Sequence, residues 1–112
     1  LIYLFLNKKF NIFFFAPTVI LAMYDEKGLT PVQDISAATQ NMLLMAESLE
    51  VGACWNGMVS IGFGDEGMSK KYAEKLNLPE GHRVNHAIIL GYAKTEILRG
   101  PERKENKVTF IR

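Results

Sequence analysis

Four groupings of side chains in this sequence are of types that can do chemistry. Cys54 stands beside Trp55 and just ahead of Asn56 and Gly57, and a thiol so placed acts as a nucleophile or redox group once a base turns it into thiolate. No base is positioned to do so, and a free buried cysteine serving as a small hydrophobe is the favoured reading. His82 and His86 lie four apart, a spacing that on a helix brings two imidazoles to one metal. Val84 and Ile88-Ile89 instead favour a strand, on which the two rings share a face with no third ligand. They read as one surface and one core-edge histidine. Glu47, Glu50, Asp65 and Glu66 could pair as acid and base, but nothing in their spacing separates them from solvated charges. Gly62-Phe63-Gly64 with Gly67 is at most a loose phosphate-loop pattern, without the strand-turn-helix spacing that such loops need. It reads as a flexible connection.

The elements that must position these groups follow from hydrophobic patterning. Residues 18–24 (TVILAMY) form a short β-branched run between Pro17 and Asp25-Glu26-Lys27-Gly28, the pattern of a buried strand ending in a turn. Thr30-Pro31-Val32-Gln33 offers an N-cap hydroxyl, a proline at the first helical position and a glutamine placed to close a capping box. From there Ile35, Ala38, Met42, Met45, Ala46 and Leu49 recur at helical spacing to about Glu50, with Gly52 near the end. Ala37, Leu43 and Leu44 widen that apolar face, so the helix is expected to be almost fully buried. Residues 53–60 are a second apolar run, a strand interrupted by Asn56-Gly57. Residues 69–76 suggest a short amphipathic helix with Met68, Tyr72 and Leu76 on one side and solvated lysines on the other. Residues 84–92 are the third apolar run. Residues 108–111, beyond a charged linker, either pair with the sheet edge of another subunit or fray.

The chain has 112 residues, 48% of them hydrophobic and 22% charged, which suits one folded domain rather than a disordered or fibrous chain. Thirteen basic residues face twelve acidic ones with no long run of one sign, so no nucleic-acid partner is expected. The single cysteine leaves no disulfide framework or cysteine-built metal site and fits a reducing, cytoplasmic setting. The apolar start is split by Asn7-Lys8-Lys9 into halves too short to span a bilayer. Its charges fall inside the apolar run rather than before it, unlike a signal peptide. No membrane association is expected, and residues 1–15 read as an apolar segment cut from something longer, ahead of a body at 16–112.

Taken in order, Ala16-Pro17-Thr18-Val19-Ile20, the helix at residues 37–49, Gly52-Ala53-Cys54-Trp55-Asn56-Gly57, Leu78-Pro79-Glu80-Gly81, Leu90-Gly91-Tyr92 and Pro101-Glu102-Arg103-Lys104 resemble the C-terminal half of the nitroreductase family. The branch most similar is one whose members often carry an additional N-terminal ferredoxin domain. The resemblance implies an α+β fold, a mixed or antiparallel sheet packed with helices, present here in truncated form. It also implies a homodimer with FMN between subunits, passing electrons from NAD(P)H to a nitroaromatic, quinone or similar small-molecule acceptor. In that role Cys54, Trp55, Asn56 and Gly57 match the segment whose backbone lies against the flavin ring. Arg103, with Lys104, matches the basic position that meets the FMN phosphate. The flavin supplies the reactivity, so no catalytic side chain is required. The family's N-terminal arginine-and-serine segment has no counterpart in the sequence, and a separate N-terminal half is one way to complete the site. The contrasting expectation is a catalytically silent dimeric remnant that acts as a binding or interaction protein.

Overall fold

The computed structural model describes residues 10–63, 66–95, 98–105 and 107–111. Within them the order is β1 (Thr18–Asp25), α1 (Pro31–Ser48), β2 (Gly52–Asn56), α2 (Val59–Phe63), α3 (Glu66–Leu76) and β3 (His82–Gly91). The architecture is α+β. Its sheet has three strands in the order β1-β3-β2, and both pairings are antiparallel. The strand latest in sequence is therefore the central one.

Between Ala22/Met23 the β1–β3 register shifts: Ala22 faces His86, but Met23 faces Val84. Asn85 is thus an extra residue on β3, a bulge that flips the alternation of side chains. Its first consequence is a core on one face, where Val59, Val84 and Ala87 are buried together against Ile12, Phe13, Val19, Leu21, Met23, Phe63 and Leu78. Its second is a correction. His82 lies opposite Asp25 and His86 opposite Ala22, three residues apart on β1, so the two histidines point to opposite faces of the sheet and cannot share a metal. α2 packs on the first face through Val59, and α1 lies over β1 and β2.

The helix start departs from the capping box expected at Gln33. Thr30 is the N-cap with Pro31 in the first turn, but its hydroxyl makes no bond to the backbone; it donates to Asp34 Oδ1 at 3.0 Å. Only Thr39 and Ala46 of α1 are buried. Met45 and Leu49, expected on the inner face, are 60% and 65% exposed. A helix covering one face of three strands meets one layer only, so the expected near-complete burial does not occur.

α1 ends where Val51 N–H reaches the Ala46 carbonyl (2.9 Å) and Glu50 N–H the Glu47 carbonyl (3.0 Å), with Glu50 at φ 57°. This is a Schellman motif with a glutamate in the left-handed position that favours glycine. Glu50→Gly is expected to stabilise the fold by about 0.5–1 kcal/mol, the left-handed strain less the entropy that glycine adds to the unfolded chain. Urea unfolding checks it, and a loss of stability would contradict the assignment.

After Asn56 the chain turns into α2, so the second apolar run is half strand and half helix. Most of the expected flexible connection is likewise helical: residues 62 and 63 belong to α2 and residues 66 and 67 to α3, while residues 64 and 65 lie outside the described residues. Of the apolar start, Ile12 and Phe13 pack on the core, Phe14 and Phe15 are exposed, and residues 1–9 lie outside the described residues. Residues 108–111 form no strand, and Val108, Phe110 and Ile111 are at least 73% exposed.

Candidate functional site

β2 is an edge strand, with β3 on one side and no strand on the other among the described residues. Gly52 is dictated by this packing, because a Cβ there would lie 2.8 Å from the Gly91 carbonyl oxygen. Cys54 is exposed, which corrects the buried hydrophobe expected from sequence; it belongs to an edge strand whose first four residues are all exposed. Trp55 is 39% exposed.

The strand ends on a buried anchor. Asn56 is 4% exposed, and its Nδ2 donates to the Ile12 carbonyl. Its Oδ1 accepts the Met58 N–H at 3.0 Å. Both polar atoms of this buried side chain are used to tie the exit of β2 to the N-terminal segment and to the turn, which leaves the Asn56 backbone as its more accessible feature for a ligand. The Gly57 carbonyl accepts from Ser60 twice, from the hydroxyl at 2.7 Å and from the N–H at 3.2 Å, which fixes the turn into α2.

Gly57 itself is unexplained by internal packing. A Cβ there would meet nothing within 4 Å, and its φ is not positive. Neither a clash nor a left-handed conformation calls for glycine, so the residue leaves open space beside a rigid backbone. Such an edge offers unpaired backbone donors and acceptors next to unfilled space, which leaves room for a planar heteroaromatic ligand to approach the backbone.

Behind the edge lies a group that sequence reading placed only at the margin of the core. His86 is 2% exposed. Its Nε2 sits 2.7 Å from Thr39 Oγ1, its Nδ1 3.0 Å from Asn85 Nδ2, and Trp55 stacks on the ring at 4.2 Å between centroids and 23° between planes. Burial pushes the His86 pKa below its ordinary value, because the interior disfavours the cation. Thr39 was the available signal, a polar residue four after Ile35 and four before Leu43 on the inner helix face.

An opening of about 600 Å³ runs along residues 14–17, 52–54 and 89–94, mostly apolar, with Lys94 as its one cationic lining residue among the described residues. Arg103 and Lys104 do not line it; both are exposed in a segment without helix or strand. Glu102 beside them pairs with Arg99 at 3.7 Å. Among the described residues no three histidine, cysteine or carboxylate groups cluster as a metal site, and no helix is long and apolar enough to cross a membrane.

Comparison with known proteins gives consistent findings. The model of the Nitroreductase family matches residues 4–92. A protein of Archaeoglobus fulgidus, provisionally named NADH dehydrogenase/NAD(P)H nitroreductase, is 42% identical over 65 residues, covering 58% of this chain and 35% of that protein. The crystal structure of a Bacteroides fragilis nitroreductase with bound FMN superposes with a TM-score of 0.84 at 25% identity, covering 98% of this chain and 59% of the other. An FMN-dependent nitroreductase of Clostridium difficile gives 0.75 at 27% identity, covering 95% and 64%. The chain therefore spans about a third of the curated relative and about three fifths of the similar structures.

Proposed function

This chain belongs to the nitroreductase family, and on that premise we propose that it supplies the ring-binding half of an FMN site in an oxidoreductase. The observation that carries the reading is Gly57, a glycine with open space beside it at the anchored exit of an edge strand. The backbone of Cys54, Trp55, Asn56 and Gly57 lines the ring, with Gly57 permitting close approach. Arg103 and Lys104 meet the phosphate, for which a guanidinium offers paired donors. When bound, FMN would supply the redox chemistry that carries reducing equivalents from NAD(P)H to a nitroaromatic, quinone or similar acceptor. The chain's own residues bind and orient it.

Met42, Leu44 and Met45 on α1 and Leu49 at its C-cap stand exposed, an apolar surface of the kind that drives association. On this reading two copies form a homodimer with FMN between them, residues 16–112 forming the body and residues 1–15 an apolar covering segment. A separate N-terminal half can complete the phosphate end. The cytoplasm, where NAD(P)H is available, is the fitting compartment.

The test is NAD(P)H oxidation by the purified chain with added FMN and a quinone or nitroaromatic acceptor, with light scattering on the same sample. Dimeric mass and oxidation that needs both FMN and acceptor are expected; a stable monomer that neither binds FMN nor turns over would overturn the reading. FMN binding without turnover would favour the second reading, a silent family remnant that works as a binding or interaction protein. The exposed position of Arg103 and Lys104, away from any helix or strand, is what keeps that reading in view. Arg103→Ala is expected to weaken FMN by about 1.5–3 kcal/mol, the scale of a hydrogen bond to a charged group, read by flavin fluorescence titration. Unchanged affinity would remove Arg103 from the site.

A further inference from the structure

Three elements meet at His86. Thr39 Oγ1 on α1 lies 2.7 Å from its Nε2, Asn85 on the β3 bulge bonds its Nδ1, and Trp55 of β2 stacks on the ring. Thr39 is fully buried and His86 nearly so, whereas Trp55 is 39% exposed. The indole therefore has one face on the buried His86 ring and part of its surface open to solvent, one residue before Asn56 and two before Gly57. A polar pair in the middle of an otherwise apolar layer (Ala22, Ala46 and Ile88) is costly unless every donor and acceptor is matched. Here both ring nitrogens are matched. We propose that His86 is a positioning residue that, while neutral, clamps Trp55 and so fixes the Cys54–Gly57 backbone, and that its protonation releases the clamp. The link to the flavin rests on the preceding reading of that backbone.

The protonation states differ in a concrete way. With Asn85 Nδ2 donating to Nδ1, the neutral ring carries its proton on Nε2 and donates to Thr39 Oγ1. In the imidazolium both nitrogens donate, so the Asn85 amino group faces another donor and must turn away. No anion compensates the charge. The ionisable groups on the elements around the ring are Asp34 and Glu47 on α1, Tyr24 and Asp25 on β1, Cys54 on β2, and His82 and Arg83 on β3. Asp34 accepts the Thr30 hydroxyl, Arg83 pairs with Glu26, and Asp25 Oδ1 accepts the Lys27 N–H. Cys54 and His82 belong to the opposite face by strand alternation, and Glu47 is exposed. The indole offers the cation some attraction, but less than the cost of an unpaired buried ion.

Burial lowers the His86 pKa in the fold, so as pH falls the unfolded chain takes up this proton first, from about pH 6.5. His86 thus contributes stability that is present above about pH 6.5 and is lost as pH drops toward the lowered folded value.

Trp55 is the only tryptophan, so intrinsic emission reports this stack alone. Titrating the emission of the full chain between about pH 8 and about pH 5 is expected to show one transition with a midpoint below about 6.5, because release of the stack removes the imidazole from the indole face and changes its surroundings. The transition should persist in His82→Gln and vanish in His86→Gln. Thr39→Val, which keeps the shape but removes the hydroxyl, should shift the midpoint and lower Trp55 emission anisotropy, a readout available even if His86→Gln does not fold. FMN affinity, measured at the same pH values, should fall about tenfold across that midpoint, or 1.4 kcal/mol. Flat emission, or a transition surviving in His86→Gln, overturns the clamp. FMN binding that ignores pH while the emission titrates overturns the positioning role. If FMN binds at no pH, the flavin reading fails instead, and the emission transition with its Thr39→Val shift alone decides for or against the clamp.

Discussion

Ile88→Ala is expected to destabilise the fold by about 2–5 kcal/mol, the cost of removing a large buried aliphatic side chain and leaving a cavity. Ile88 is fully buried and lies at the centre of β3, opposite Ile20 on β1 and Trp55 on β2. Its neighbours are held by ladders on both sides and cannot collapse into the space. A domain of this size has roughly 5–15 kcal/mol of stability in total, so the variant should unfold at much lower urea with an unchanged slope. Cys54→Ala, on the exposed edge strand, is the matched control and should shift the midpoint little. A change under about 1 kcal/mol at Ile88 would mean that β3 is not the central strand of a packed sheet.

Gly57→Val carries the second large effect, on binding rather than stability. The added side chain meets nothing within 4 Å and no positive φ has to be accommodated, so the unfolding midpoint should hardly move. Its bulk would occupy the opening in which the flavin ring is proposed to lie. Overpacking of that kind costs about 1–3 kcal/mol, or roughly fivefold to 150-fold in FMN affinity. Flavin fluorescence titration of the variant against the parent measures it. Equal affinities with intact folds would place the ring elsewhere, for instance in the opening beside Lys94.

What could be read from the sequence divides along a physical line. β1 and β3 each contain a continuous apolar run, residues 19–23 and 87–90, and in the central strand β3 burial on both faces writes itself into consecutive residues. The start of α1 was equally plain from Thr30-Pro31, yet the capping box was not formed, because the Thr30 hydroxyl found the Asp34 carboxylate instead. The Asn85 bulge left no glycine or proline to mark it, and missing it put His82 and His86 on one face. The structural role of the Asn56 side chain was not legible either. Its partner, the Ile12 carbonyl, is 44 residues away, beyond the reach of any local pattern. Met45 and Leu49 are apolar at helical spacing, and spacing tells which side of a helix is apolar without telling what covers it. Nothing in the pattern around Glu50 marks the left-handed conformation it adopts, with a φ of 57°, because that position more often carries a glycine.

The family assignment concerns the fold, and the proposed flavin site concerns one turn of backbone within it. An equilibrium titration of the purified chain with FMN, followed by quenching of flavin fluorescence, separates the two. Saturable quenching in the micromolar range or tighter, approaching one flavin per chain, is the expected result. Flavin emission unchanged at chain concentrations far above that range would contradict the account, leaving a nitroreductase-family fold without a flavin site.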